Sequence, residues 1–203
     1  MTGIMRIGYL GGTFDPPHLG HEKLAREALF QLELDLVRWL ITPDPPHKAD
    51  LKLAPVSTRL EMVQLVIDRQ EAFELSEVDL RRSPPYYAAD TVEIIKQEHP
   101  DSDLVYIIGE DSLGDLPEWH QPGRFLGGID QLPVAPRPGY QVDLPSLELK
   151  LPGLASKLTY LTDIRVEISS SLIRERIYKG EDFDHYLAED VAAYIRNNHL
   201  YQR

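Results

Sequence analysis

The chain of 203 residues contains no cysteine, which removes disulfide frameworks, thiolate zinc sites, iron–sulfur clusters and thiol nucleophiles together. Long apolar runs are missing as well. Stretches such as Leu104 to Ile108 fall far short of the roughly 20 residues needed to cross a bilayer, and Met1 to Leu10 lacks the charged-then-apolar layout of a signal peptide. Basic charge is in short supply: Lys plus Arg number 21 against 33 Asp plus Glu, a formal net charge of -12. A face gripping long nucleic acid would work against that field. The expectation is a cytoplasmic protein that engages neither membrane nor nucleic acid. The GxGxxG, GxxxxGK[ST] and GxSxG patterns are also absent, which disfavours dinucleotide-binding dehydrogenases, P-loop NTPases and α/β-hydrolases.

What is present is an alternation of short β-branched runs with segments of helical period, the pattern of a parallel sheet wrapped by helices, so the fold class is α/β. The expected strands are Arg6 to Leu10, Val37 to Ile41, Ala72 to Leu75, Leu104 to Ile108, Leu132 to Ala135 and Leu158 to Leu161. Between them Leu24, Ala28, Leu29 and Leu32 share a helical face, as do Leu60, Val63, Leu65 and Ile67 more loosely, then Thr91, Ile94 and Ile95. Prolines 133, 136, 138, 145 and 152 predict an irregular connection from Pro133 to Pro152. Beyond it, helices are expected from Ser169 to Lys179, stopped by Gly180, and from Glu189 to Asn198. A strand-like run past the proline-rich stretch favours one domain over two.

The first strand runs into Gly11-Gly12-Thr13-Phe14-Asp15-Pro16-Pro17-His18-Leu19-Gly20-His21. Glycines at a strand end permit φ > 0 and close approach of a ligand to backbone amides. His18 and His21, three apart at a helix start, can point the same way beside free N–H groups and the positive end of the helix dipole, which describes an anion site. A protein-ligated metal would need a third ligand, and none accompanies the pair. The alternative is a tight turn followed by two surface histidines.

Further polar segments follow the other strands. Pro46-His47-Lys48 delivers a cation at a stiff tip; Gly109-Glu110-Asp111 offers close approach and a carboxylate for ribose hydroxyls or a helix cap; Arg137-Pro138-Gly139 follows the fifth strand. Ser169-Ser170-Ser171 caps the helix that carries Arg174 one turn inside. Trp119 either stacks on a heterocycle or fills the core. Carboxyl ends of parallel strands line the ligand crevice of an open α/β sheet, so five such segments converge on a nucleotide-phosphate site. No activated nucleophile is evident, and phosphoryl or nucleotidyl transfer needs none when the attacking group is already an anion.

These residues resemble the bacterial nicotinate-nucleotide adenylyltransferases, within the nucleotidyltransferase superfamily marked by HxGH, here His18-Leu19-Gly20-His21. The resemblance spans nearly the whole chain. It takes in the Gly11 to His21 loop, Pro45 to Lys48, Arg59, Tyr87 with Asp90-Thr91, Ile107 to Leu113, Leu116 to His120, Arg137 to Tyr140, Ile168 to Arg174 and the ending Tyr194 to Tyr201. It implies a Rossmann-like open parallel sheet of five to six strands, helices on both faces and a C-terminal helical part from about residue 168 to 203, all one domain. It also implies adenylyl transfer from ATP to nicotinate mononucleotide, with Mg²⁺ held mainly by the ATP phosphates; association into a homo-oligomer is left open. By the same resemblance His18, His21, Lys48 and Arg174 are the catalytic set. Gly11, Gly12, Thr13, Phe14, Gly109, Asp111, Ser169 and Ser170 bind ATP, and Tyr87, Ala88, Trp119 and Arg137 bind the nicotinate nucleotide.

The sequence departs from that family at Tyr86 and Ala88, where Ser and Thr are common, and at Gln121, where a basic residue is frequent. Readings that compete are a phosphopantetheine adenylyltransferase, a cytidylyltransferase and, from another class, a silent nucleotide-binding module. The intact His18, His21, Lys48 and Arg174 argue against the last.

Overall fold

The computed structural model describes residues 4–45, 53–164 and 167–202. Six strands form one sheet: β1 (Arg6–Gly12), β2 (Leu36–Ile41), β3 (Phe73–Ser76), β4 (Asp103–Gly109), β5 (Leu132–Ala135) and β6 (Leu158–Tyr160). Their order is β3-β2-β1-β4-β5-β6, and every pairing is parallel. Each expected strand is found: the first four are shifted or extended by one or two residues, the fifth matches, and the sixth ends one residue earlier.

The helices are α1 (Leu19–Gln31), α2 (Val56–Ile67), α3 (Ala88–Glu98), α4 (Glu110–Asp115), α5 (Pro122–Gly128), α6 (Leu144–Lys150), α7 (Leu154–Lys157), α8 (Ser170–Lys179) and α9 (Glu189–Asn197). They cover both faces of the sheet. Along β4, Val105 and Ile107 pack with α1, α2, α8 and α9, whereas Leu104, Tyr106 and Ile108 pack with α3, α5, α6 and α7. The period of two sends alternate side chains into the two cores, as a doubly covered parallel strand requires.

The proline-rich stretch is more regular than its composition predicts. Pro133 lies inside β5, and Pro145 sits in the first turn of α6, where a missing N–H costs nothing. Asp143 caps that helix by accepting from the Ser146 N–H. Gly180 ends α8 as expected, with φ of 72° and its N–H on the Arg176 and Ile177 carbonyls.

The strand order reverses between β1 and β4, so the chain leaving each of these strands diverges and opens a crevice at their carboxyl ends. Arg59 of α2 fastens the loops on the β1 and β2 side of that crevice. It is 1% exposed, and its guanidinium donates to the carbonyls of Thr13, Thr42, Pro43 and Ala54. Its place on the buried stripe with Met62, Val63 and Val66 is a charge where the helix should be apolar. Replacing it by methionine keeps the volume but strands four buried carbonyls. Arg59→Met is expected to lower the unfolding free energy in a urea titration by about 3 kcal/mol or more. An unchanged midpoint would mean that these loops are held by other contacts.

Candidate active site

β1 ends in Gly11 and Gly12, both extended rather than left-handed, so their glycine requirement is not the φ > 0 expected from sequence. It comes from packing. A Cβ on Gly11 would lie 2.7 Å from the Tyr106 hydroxyl, and one on Gly12 would lie 3.0 Å from the Phe14 ring. The left-handed residue of the loop is Phe14, with φ of 49°. Its side chain is buried, edge-on to His21 at 5.0 Å and tilted against Trp39 at 5.0 Å. Phe14 is therefore the floor of the loop, and what it presents to the crevice is backbone.

The two histidines meet at the start of α1. Their rings stack at 3.6 Å with 21° between planes. Each caps the other's backbone: His21 N–H donates to His18 Nδ1 at 3.3 Å, and His18 N–H donates to His21 Nδ1 at 3.2 Å. This is a capping box built from imidazoles, and it fixes the chemistry of both rings. An Nδ1 that accepts a hydrogen bond carries no proton, so the proton of each ring sits on Nε2. His18 is 4% exposed, and burial pushes its pKa down to about 3, with the nearby Arg137 charge adding to the effect. The pair thus holds its N–H donors without carrying charge at His18.

The loop between the glycines and the histidines is tied to α8. Ser169 caps that helix through the Leu172 N–H, whereas the Ser170 hydroxyl donates to the Pro16 carbonyl at 2.9 Å. Arg174 Nη1 donates to the Asp15 carbonyl at 2.7 Å, and its Nη2 donates to the Ser171 hydroxyl. The serine cluster and Arg174 are thereby brought to the histidine loop, as expected, but Ser170 is occupied in holding it. Thr13 offers its carbonyl to Arg59. Lys48 lies outside the described residues.

Across the crevice, Gly109 rather than Asp111 is the N-cap of α4, so the expected capping role for Asp111 does not hold. Asp111 pairs instead with the Arg137 guanidinium, and a Cβ on Gly109 would lie 2.5 Å from the Asp111 carboxylate. Glu110 accepts from the Arg137 N–H at 2.9 Å, so both carboxylates after β4 hold the loop after β5. Arg137 also lies over the Tyr140 ring.

A third region adjoins the start of α3. Tyr87 is its N-cap and gives no side-chain hydrogen bond, and Ala88 is its first residue, so this helix start is capped by no side chain. Tyr87 stacks on His120 at 3.9 Å, which brings the α3 start beside the segment holding Trp119. Trp119 is half-buried and edge-on to Phe125 at 5.2 Å. Gln121 takes a left-handed conformation as the cap of α5. The helix start is braced from below by a buried cluster that sequence reading did not single out. Asp79, 2% exposed, binds the Thr91 hydroxyl and Arg82 at 2.8 Å each, and Arg82 reaches the carbonyls of Pro85 and Tyr87. Burial raises the Asp79 pKa against the pull of these partners. Asp90, which the resemblance includes, pairs instead with Arg124.

Among the described residues no group of three or more His, Asp or Glu side chains comes together to hold a metal ion, and no helix is long and apolar enough to cross a membrane.

A parallel sheet with its ordering reversed at β1, glycines at the strand ends and a histidine pair opening the first helix defines a nucleotidyltransferase-type site. The cytidylyltransferase-like family matches residues 9–176. Over 201 residues the chain is 40% identical to a protein of Dehalococcoides mccartyi named "Probable nicotinate-nucleotide adenylyltransferase", covering 98% of each. It is 35% identical over 199 residues to the nicotinate-nucleotide adenylyltransferase of Bacillus subtilis, covering 98% of this chain and 100% of that one. The chain belongs to the nicotinate-nucleotide adenylyltransferase family. A nicotinic acid mononucleotide adenylyltransferase of Plasmodium falciparum, solved in complex with NaAD, has the same fold, with a TM-score of 0.77 at 20% identity and 97% of each chain covered.

The His18 environment has a consequence for stability. In the unfolded chain this ring takes up a proton near its ordinary pKa of 6.5, whereas in the folded protein it does so only at about 3. Its contribution is full above pH 6.5 and is lost as pH falls toward 3. His18→Asn keeps a capping acceptor but cannot titrate. The unfolding free energy of the wild type is expected to fall relative to His18→Asn by about 1 kcal/mol per pH unit between pH 6 and 4. Parallel pH profiles would contradict a buried neutral ring.

Proposed function

We propose that the protein transfers the adenylyl group of ATP to nicotinate mononucleotide, giving deamido-NAD and pyrophosphate. The observation that carries this reading is the stacked histidine pair at the start of α1, whose mutual capping through Nδ1 leaves the proton of each ring on Nε2. A neutral donor pair suits phosphate oxygens because it stabilises growing negative charge without proton loss as substrates bind. The names of the family's members supply the substrates.

In the proposed reaction a phosphate oxygen of the mononucleotide attacks the α-phosphorus of ATP, a new P–O bond forms, and the bond to the β-phosphate oxygen breaks. The attacking oxygen is already anionic, so no general base is required. Catalysis then reduces to alignment and charge neutralisation. His18 and His21 would hold the phosphates, with His21 stabilising the transferred group; Lys48 and Arg174 would hold the departing pyrophosphate. Gly11, Gly12, Thr13 and the Phe14 backbone would line the nucleotide cradle, and Ser169 and Ser170 would shape the phosphate side through the α8 start. Gly109 and Asp111 would meet the ribose, with Arg137 fixed beside them.

On the acceptor side, the first-turn amides at Tyr87 and Ala88 would receive the pyridine carboxylate, and Trp119 would stack on the ring. Ala88 lacks the hydroxyl of the common Thr, and the α3 start without a side-chain cap would leave its amides for the carboxylate, a natural cap for unsatisfied helix amides. Mg²⁺ would arrive on the ATP phosphates and screen their charge, since the described residues offer no carboxylate cluster for a hard cation. We read the chain as one cytoplasmic domain acting on these small molecules.

The test is pyrophosphate release from MgATP with nicotinate mononucleotide, nicotinamide mononucleotide or phosphopantetheine as acceptor. The nicotinate compound is expected to give the highest kcat/KM by a wide margin. Comparable use of the amide would remove carboxylate recognition from the account, and silence with every acceptor would favour a nucleotide-binding module. In the same assay His21→Ala is expected to lower kcat about 100-fold, the scale of losing one preorganised donor. Near-normal turnover would take His21 out of the mechanism.

A further inference from the structure

Tyr201 lies 186 residues from Asp15 along the chain, yet its hydroxyl donates to the Asp15 carboxylate at 2.6 Å. The approach is built into the backbone after α9. His199 and Tyr201 have φ of 52° and 61°, left-handed conformations that residues with side chains seldom adopt, and between them Leu200 anchors its N–H on the Ile195 carbonyl. These turns bring the Tyr201 ring back onto the core under the phosphate-side loop.

Asp15 stands between Tyr201 and Arg174. It is fully buried, and its carboxylate also accepts weakly from the Ala54 N–H at 3.3 Å and 3.4 Å. Its backbone carbonyl receives Arg174 Nη1 at 2.7 Å, while its carboxylate oxygen Oδ2 stays 3.8 Å from that same nitrogen. The guanidinium is therefore hydrogen-bonded by the carbonyl, while its ion pair with the carboxylate stays beyond hydrogen-bond length. A buried carboxylate beside a guanidinium gains strongly from closing to a full ion pair. Its shortest restraint is the bond from Tyr201, beside the long contacts from the Ala54 N–H and the attraction of the Arg59 charge. Burial, reinforced by the neighbouring Asp15 charge, raises the Tyr201 pKa, so the hydroxyl remains a donor.

We propose that Tyr201 is a positioning residue that holds the Asp15 carboxylate away from Arg174 and so keeps the Arg174 charge for the phosphates of the substrate. This rests on the reading of Arg174 as a pyrophosphate-binding residue. Without the Tyr201 hydroxyl the carboxylate swings onto Arg174 and neutralises it.

The experiment is calorimetric binding of Mg-pyrophosphate to the wild type, Tyr201→Phe, Arg174→Ala and the double variant, with thermal unfolding of each as a control. Phenylalanine keeps the ring packing. Tyr201→Phe is expected to weaken pyrophosphate binding about 5- to 10-fold, with no further loss in the Arg174→Ala background, because the two residues act in one chain of contacts. Adding Asp15→Asn to Tyr201→Phe is expected to recover binding, since an amide has no charge with which to hold the guanidinium. Wild-type affinity in Tyr201→Phe, the same fold loss in both backgrounds, or no recovery with Asp15→Asn would each overturn the proposal. Should Tyr201→Phe fail to fold, Asp15→Asn alone decides: binding equal to or tighter than wild type supports it, and weaker binding overturns it. If wild-type protein binds no pyrophosphate at all, the phosphate-site reading itself fails.

Discussion

Two buried charges, Asp15 and Arg59, hold the loops at the carboxyl ends of β1 and β2 in one arrangement. Arg59 gathers four carbonyls from three stretches of chain; Asp15 receives the segment before α2 and the segment after α9. Neither is an economical way to stabilise a core, because each charge must be desolvated before its partners repay it. The benefit is uniqueness. An apolar plug would tolerate many loop conformations, whereas a planar guanidinium facing several carbonyls tolerates few. The histidine pair, the α8 serines and Arg174 all hang on that frame.

Within the frame, neutral and cationic donors are held side by side. The histidines cap one another and present N–H groups with no net charge at His18, while Arg174 supplies charge from α8 and Arg137 is paired to Asp111. A chain of net charge -12 gives a triphosphate no general attraction, so the favourable field must be local. In the proposed function, helix starts at α1, α3 and α8 would contribute it through backbone dipoles, and the arginines through position. On the side proposed for the acceptor, α3 begins with no side-chain cap.

The strands and most helices could be read from the chain because alternating apolar runs and capping residues such as Ser169 and Gly180 act locally. The histidine pair was legible for the same reason, being three residues apart at a helix start. Features that depend on distant partners were not. The packing reason for Gly11 is a tyrosine hydroxyl from β4, Phe14 proved to be the floor beneath His21, and Asp111 gave up its capping place to Gly109 while binding Arg137. Prolines misled between Pro133 and Pro152 because their tolerance in a first helical turn depends on register that composition does not show. Asp79 and Tyr201 carry no local signal. Arg59 did leave one, a charge on an apolar stripe, and the family resemblance included it.

The proposed phosphate site needs both imidazoles fixed with their protons on Nε2, and nitrogen-15 NMR of the histidine rings tests this most directly. The prediction is Nε2–H for both rings, no titration of His18 between pH 8 and pH 5, and movement of both Nε2 resonances when a non-hydrolysable MgATP analogue is added. A His18 ring that carries its proton on Nδ1, or that titrates near 6.5, would contradict the mutual capping on which the phosphate site is built.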